Sequence, residues 1–399
     1  YAVTGHIAIY DNFSAKEVSF DQPDGTLQLF NHPINKPRIE YDASGNCLGL
    51  LVEEARTNLM PNSESLVVSS NRAIAESSVS PTGEQTAQTW RVNGSVSASP
   101  YWFGNPNIVS GTTYTCSVFV RLPTSGPTVE SRYIRLSSQS IIQGGAAVFD
   151  LQEGTVVSSN MLSESITPVG NGWYRIAVTN IATSSGASFS FILWAIINAA
   201  GDLYVNSASD DGKALFETFG MQTEAGSFPT SYIPTSGSTV TRAADVASLA
   251  VSEFGYNQDQ GTVVVSGHYT GLGVSGTSGV FELNQAVSAP NGVELRLAQA
   301  SGQIQCYDNN GAFLSGGGNV PVNSDFKIAL GFVVGGTNAA ASYNGSVTNA
   351  FASVDVNTVS SIELFKHDTS LGRILNGHLK SVQYYPLRLS NAQLQALTV

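Results

Sequence analysis

Short runs of alternating apolar and polar residues, ended by glycine, asparagine or proline, recur from residue 58 to 245 and again from residue 261 onward. A side-chain period of two belongs to the β-strand. Such strands, at roughly ten-residue spacing with turn residues between them, specify antiparallel sandwiches. Residues 113–121 (TYTCSVFVR) and 173–178 alternate in this way, so each turns one face inward. Residues 189–197 are almost continuously apolar, which places that strand centrally in its sheet. Gln152, Glu153 and Gly154 read as a hairpin turn, and Asn344-Gly345 is a strong two-residue hairpin signal because both positions tolerate positive φ.

Composition narrows the class. The chain has 399 residues, of which 42% are hydrophobic and 12% charged, with 39 glycines. It is too apolar for disorder and too poor in Lys, Glu and Leu for a helical protein. Its length implies two or three domains. A formal net charge of -12 argues against nucleic acid as a partner, which would need clustered Lys and Arg, and it disfavours an anionic membrane or a strongly anionic polymer. No apolar run approaches the roughly 20 residues that a membrane-crossing helix needs. Cys47, Cys116 and Cys306 are too few and too scattered for a disulfide framework or a zinc site, and read as small apolar residues. Tyr1 is not an initiator and no signal peptide is visible, so a truncated or processed N-terminus is expected.

Three segments follow from the punctuation. In residues 1–56, the Pro-broken run 32–38 (HPINKPR) and the tight turn 42–46 (DASGN) precede an apolar strand at 47–52. Such a segment cannot bury a core of its own. It reads as an extended arm that docks on a larger body, a virion component or a neighbouring subunit, or as the first strand pair of the following domain. Residues 57–245 form the first sandwich. Residues 234–248, rich in Ser, Thr, Gly and Ala, read as a linker. Residues 246–399 then form a second sandwich, expected to fold alone.

Residues 170–176 (GNGWYRI), 222–226 (QTEAG) and 231–235 (SYIPT) resemble the closing half of a carbohydrate-binding β-jelly roll. Residues 49–59 (GLLVEEARTNL) complete a pattern similar to that of appendage proteins of tailed bacteriophages and phage-derived particles. The end of the chain, 377–397, resembles the final strand and short capping helix of concanavalin-A-like, laminin-G-like lectin domains, with Ser390 as N-cap. The resemblance covers the chain from about Arg38 onward. It implies an all-β protein: an N-terminal extended arm for virion docking, a jelly roll and a concanavalin-A-like sandwich. It further implies a non-enzymatic receptor-binding fibre or spike subunit, made in the bacterial cytoplasm and carried on the virion surface. Its partners would be bacterial surface polysaccharide and other virion proteins, and its assembly a homo-oligomer, commonly a trimer. A capsule-degrading depolymerase and a purely structural decoration or adaptor protein stand as alternatives.

Sugar binding needs exposed aromatic faces to stack on pyranose C–H groups and planar polar groups to read hydroxyls. Tyr101 and Trp102 lie between the polar run 94–100 and the turn-forming run 104–107 (GNPN), and are expected to form an exposed stacking pair. Trp90, Trp173 and Trp194 read as core residues. In the second sandwich, Tyr307, Asn309 and Asn310 form an aromatic-flanked polar turn, the other candidate for carbohydrate binding. Asp and Asn oxygens there could hold calcium, although the same residues are what a hairpin turn requires. Asp202, Asp210, Asp211 and Glu217 form a second acidic group. No cofactor is assigned, and the metal question is left open.

Catalytic motifs are sparse. The five histidines are scattered, and no nucleophile elbow or phosphate loop occurs. A laminarinase-like sandwich needs closely alternating carboxylates, with acid and nucleophile about 5 Å apart; that motif is missing. Glu282, Glu294 and Glu363 read as surface charges. Carboxylates brought together from distant strands would restore the depolymerase reading.

Overall fold

The computed structural model describes residues 16–19, 28–31, 37–42, 46–68, 71–104, 106–138, 144–187, 191–271, 277–285, 292–298, 301–365 and 373–399. The expected two antiparallel sandwiches are what the chain forms. In the jelly roll, sheet I runs Ser163–Pro168, Tyr174–Ile181, Thr113–Arg121, Ala214–Ala225, Ala87–Val92, Ala73–Ser78. Sheet II runs Thr155–Ser159, Gly145–Asp150, Tyr133–Ser138, Phe191–Ala195, Tyr101–Gly104, Val67–Val68. The apolar strand Phe191–Ala195 is therefore interior to its sheet, as its composition requires. Between the sheets lies a core that includes Trp90, Trp102, Cys116, Val118, Leu136, Phe149, Leu193 and Phe216.

The concanavalin-A-like sandwich pairs a six-stranded sheet III with a seven-stranded sheet IV. Sheet III runs Ala247–Ala250, Val359–Leu364, Thr277–Gln285, Val293–Ala298, Gln303–Asp308, Gly311–Asn319. Sheet IV runs Ser346–Asn349, Ala340–Tyr343, Ser324–Val333, Gln260–Gly271, Asn376–Tyr385, Cys47–Val52, Ile39–Tyr41. Asn344 and Gly345, with φ of 49° and 69°, make the expected two-residue turn between Tyr343 and Ser346. The helix Asn391–Leu397 opens with a capping box, Ser390 and Gln393 each bonding the other's backbone. It buries Leu394 against Val264, Ala329 and Ala340 on the outside of sheet IV.

The last two strands of sheet IV come from the N-terminal segment. Ile39–Tyr41 and Cys47–Val52 thus join the distant sandwich of their own chain and are not the first strand pair of the domain that follows them. Cys47–Val52 pairs with Asn376–Tyr385, and Leu50 and Val52 enter the second core beside Val263, Phe281 and Ile328. Gly49 makes the pairing geometrically feasible: at φ +120°, a Cβ there would stand 2.6 Å from the carbonyl oxygen of Leu379. The chain then crosses to the jelly roll. The expected linker is no free tether either. Val240–Arg242 pairs with Arg56–Asn58, and Arg242 and Asp245 are each 2% exposed.

These crossings meet in a buried ionic seam built from the two sequence motifs quoted above. Glu53 accepts from the Ser231 backbone N–H at 2.9 Å and its hydroxyl at 2.7 Å, and it faces Arg38 at 3.1 Å and Arg242 at 3.3 Å. Asp245 completes that group, accepting from Arg38 and from the Glu53 N–H. Arg56 donates to Glu54 at 2.8 Å and to the Ala225 carbonyl, and its guanidinium lies 5.0 Å from the centre of the Phe228 ring. Asn58 ties Ile233 at 2.8 Å, and Glu224 accepts from Thr230 at 2.6 Å and 2.8 Å. Gly226 is where Arg56 passes: a Cβ there would fall 1.6 Å from a guanidinium nitrogen. Buried charges persist only when paired and hydrogen-bonded, which is the arrangement here.

Candidate functional site

Side chains alternate across a strand, so parity decides which aromatic residues sheet II offers to solvent. On Tyr101–Gly104, Trp102 points inward: it is fully buried, its ring 5.1 Å from Trp90 and 4.6 Å from Phe216. The expectation of an exposed Trp102 is corrected by this packing. Tyr101 and Phe103, on either side of it, take the outer face, their rings 5.9 Å apart. On the neighbouring strand, Phe191, Leu193 and Ala195 fill the core, which leaves Trp194 outside and only partly buried. Trp194 stands directly opposite Tyr101, with ring centres 4.6 Å apart and planes tilted by 42°. The apolar strand around Trp194 implies a core position, which its outward direction corrects. The partner strand Tyr101–Gly104 opens with three successive aromatic residues and has no alternation either, so no local signal marks the face.

Tyr133, Arg135 and Ser137 extend this face on the next strand, since Ile134 and Leu136 are in the core. Arg135 lies directly opposite Trp194, and the Trp194 indole N–H donates to Ser137 Oγ at 2.9 Å, which fixes the ring. Arg72 stacks over Tyr101 at 5.2 Å from the ring centre and donates to the Ser99 carbonyl at 3.0 Å. Two open clefts adjoin the platform. One, of about 340 Å³, is lined by Arg135, Val148, Ser158, Ser159, Asn160 and Gly201. The other, of about 390 Å³, is bounded by Tyr133, Arg132, Gln152 and Ile197. Arg132 is committed to Asp150 at 2.7 Å and Glu153 at 3.4 Å. The result is an aromatic pair with guanidinium, hydroxyl and amide groups beside it, the chemistry that reads a saccharide.

The other expected site residues are occupied by the fold. Asn309 and Asn310 form the turn between Gln303–Asp308 and Gly311–Asn319. The Asn309 N–H donates to the Asp355 carbonyl at 3.2 Å, and the Asn310 amide to the Asp355 carboxylate at 2.9 Å. Asp308 bonds the backbone N–H groups of Asn310 and Asp355, so its carboxylate serves the turn. Tyr307 is half-buried on the outer face of sheet III, with Arg296 over its ring at 3.4 Å. The second acidic group is dispersed. Asp210 bonds Lys213 and Tyr204, Asp211 bonds the Gly94 N–H, and Glu217 pairs with Arg121 at 2.5 Å. Among the described residues, no group of three or more His, Cys, Asp and Glu is arranged to hold a metal ion. No helix among them is long and apolar enough to cross a membrane.

Two further places gather titratable groups. Glu282 faces Glu294 on one side and Glu363 on the other, in register across three strands of sheet III. Glu282 and Glu294 are 4% and 1% exposed, which corrects their reading as surface charges. At the seam, a cleft of about 190 Å³ is lined by Glu40, Glu53, Arg175, Ser231, Asn376 and His378. Burial there raises the cost of ionising Glu53, but Arg242, Arg38 and the Ser231 hydrogen bonds outweigh it and hold its pKa at about 2. Burial pulls the Arg175 pKa down. His378 Nε2 lies 2.6 Å from Glu40.

No protein-family model matches the chain, and no curated protein matches it. Solved structures to which it is similar include the CBM40 of a Ruminococcus gnavus IT-sialidase bound to α2,6-sialyllactose (14% identity, 36% of this chain and 85% of that one, TM-score 0.30). Others are a pentraxin of Limulus polyphemus (14%, 35% and 70%, TM-score 0.29) and a Trypanosoma rangeli sialidase (12%, 78% and 60%, TM-score 0.27).

Proposed function

We propose that this chain is a non-enzymatic, phage-type adhesin, a receptor-binding fibre or spike subunit that holds bacterial surface polysaccharide on the outer face of sheet II. The observation that carries the reading is the Tyr101–Trp194 pair, held in register and partly buried on the outer face of sheet II at a 4.6 Å ring separation, with clefts of polar lining beside it. The phage-type setting rests on the resemblance of residues 49–59. One such face binds weakly. Several copies on one particle convert later contacts into intramolecular ones, raising avidity by about 10²–10⁴. Immobilised bacterial surface polysaccharides test the reading: the wild-type protein is expected to bind a subset, and Trp194→Ala to lose that binding while remaining folded. Binding that ignores Trp194→Ala, or no binding at all, refutes it.

A second reading is favoured by the row Glu363, Glu282, Glu294. Cross-strand neighbours have Cβ atoms about 4.5–5.5 Å apart, so the three carboxyl groups are direct neighbours, and a pair of neighbouring carboxyl groups is what glycoside hydrolysis uses. If sheet III cleaves polysaccharide, reducing ends appear with the wild-type protein and vanish with Glu282→Gln. If it only binds, neither protein releases them.

A further inference from the structure

Arg135 is an anomaly in an acidic chain. Acidic residues exceed basic ones by 12, so guanidinium groups have carboxylates to choose from, and most do. Arg38, Arg56, Arg91, Arg121, Arg132 and Arg242 each contact at least one. Among the described residues, Arg135 has no carboxylate within 4.0 Å and makes no hydrogen bond. Its Nε is buried without an acceptor. A buried, unpaired guanidinium N–H is costly and calls for a partner. This one stands on the binding platform, directly across from Trp194, in the wall of a cleft that also carries Ser158, Ser159 and Asn160. Tyr101, Trp194 and Arg135 occupy adjacent strands, so the row spans about 10 Å, room for a stacked ring with its substituent at the guanidinium. Four carboxylates of this region are engaged elsewhere. Asp150 and Glu153 pair with Arg132, Asp202 accepts from the Asn198 amide at 2.8 Å, and Glu164 accepts from Ser159 Oγ at 2.8 Å at the cleft rim.

We propose that the saccharide bound on this face is acidic, a carboxylate-bearing sugar such as a uronic acid residue, whose ring stacks on Trp194 and Tyr101 and whose carboxylate is taken by Arg135. This rests on the glycan-binding reading above and names its ligand class. The planar fork of arginine suits a carboxylate through two parallel N–H···O bonds, which a lysine cannot reproduce. The net charge of the chain disfavours long-range capture of an anionic polymer. Selection for the acidic sugar is accordingly local, made by one partly buried cation in the cleft wall, and weakens with salt.

The test uses the full chain and a panel of glucuronate- and galacturonate-containing oligosaccharides beside their carboxyl-reduced, neutral counterparts. Wild-type protein is expected to bind the acidic members at least about ten-fold more tightly, the scale of a charge-assisted hydrogen bond. Arg135→Gln should abolish that preference while keeping residual affinity for both, Arg135→Lys should restore only part of it, and Trp194→Ala should weaken both members of each pair. Circular dichroism establishes that each variant is folded. Equal wild-type affinity for acidic and reduced sugars, with both weakened by Trp194→Ala, overturns the acidic-sugar assignment and leaves the glycan face standing. Absence of any binding overturns both.

Discussion

At the scale of single residues, parity separates two adjacent tryptophan and tyrosine roles. Trp102→Ala leaves a cavity beside Trp90 and Phe216 and is expected to destabilise the protein by about 3–5 kcal/mol. Trp194→Ala removes a ring whose outer side is solvated, and should cost about 1–2 kcal/mol. Thermal or denaturant unfolding of the two variants checks the order; a larger loss for Trp194 would place it in the core after all. Glu53 gives a pH dependence of definite sign. Its pKa is lowered from an ordinary 4.5 to about 2 in the folded chain. The folded state therefore binds fewer protons than the unfolded one. Its stabilisation is present above pH 4.5 and is lost as pH falls toward 2, amounting to about 3 kcal/mol. Urea titrations between pH 6 and pH 2 should show that loss in the wild type and a shallower one in Glu53→Gln. That variant should already be weakened at neutral pH by about 3–5 kcal/mol, because Arg38 and Arg242 lose a shared carboxylate.

At the scale of elements, strand identity was legible and strand partnership was not. The alternation of Thr113–Arg121 and the Asn344-Gly345 pair name their own local structures, because period and turn chemistry are encoded within a few residues. Cys47–Val52 is equally readable as a strand. Its partner, Asn376–Tyr385, lies over three hundred residues away, and nothing local distinguishes that edge from the adjacent sandwich. Gly311–Asn319 is not legible as a strand, since three successive glycines hide its alternation. The candidate site was half legible. Tyr101 could be found from its loop-like flanks, but four residues of strand do not say which neighbour points out, and the apolar run around Trp194 has no alternation to read. Gly49→Ala tests the grafted strand. The new methyl group would press on the Leu379 carbonyl at 2.6 Å, so amide exchange in Cys47–Val52 and Asn376–Tyr385 should accelerate together while the jelly roll stays protected.

At the scale of the whole molecule, the motifs that resemble phage appendage proteins are the seam, and the face proposed for binding lies elsewhere. Glu53 bonds Ser231, Arg56 bonds Glu54, Asn58 bonds Ile233 and Glu224 bonds Thr230, so their constraint is architectural. Two sandwiches joined by an interleaved chain and buried ion pairs should not behave as independent modules. Residues 246–399 alone lack two strands of sheet IV along with Leu50 and Val52, and are expected to be molten or insoluble by near-ultraviolet circular dichroism, contrary to what the linker-like composition suggests. A well-packed, cooperatively melting fragment would show the grafted strands to be dispensable. Such rigidity suits an adhesin, because a fixed scaffold presents its aromatic face without an ordering cost on binding. The measurement that bears most directly on this account is the affinity of the folded wild-type and Trp194→Ala proteins for the same immobilised bacterial surface polysaccharide. At least ten-fold weaker binding by the variant, about 1.4 kcal/mol or more, is expected; equal binding would contradict the placement of the site on the outer face of sheet II.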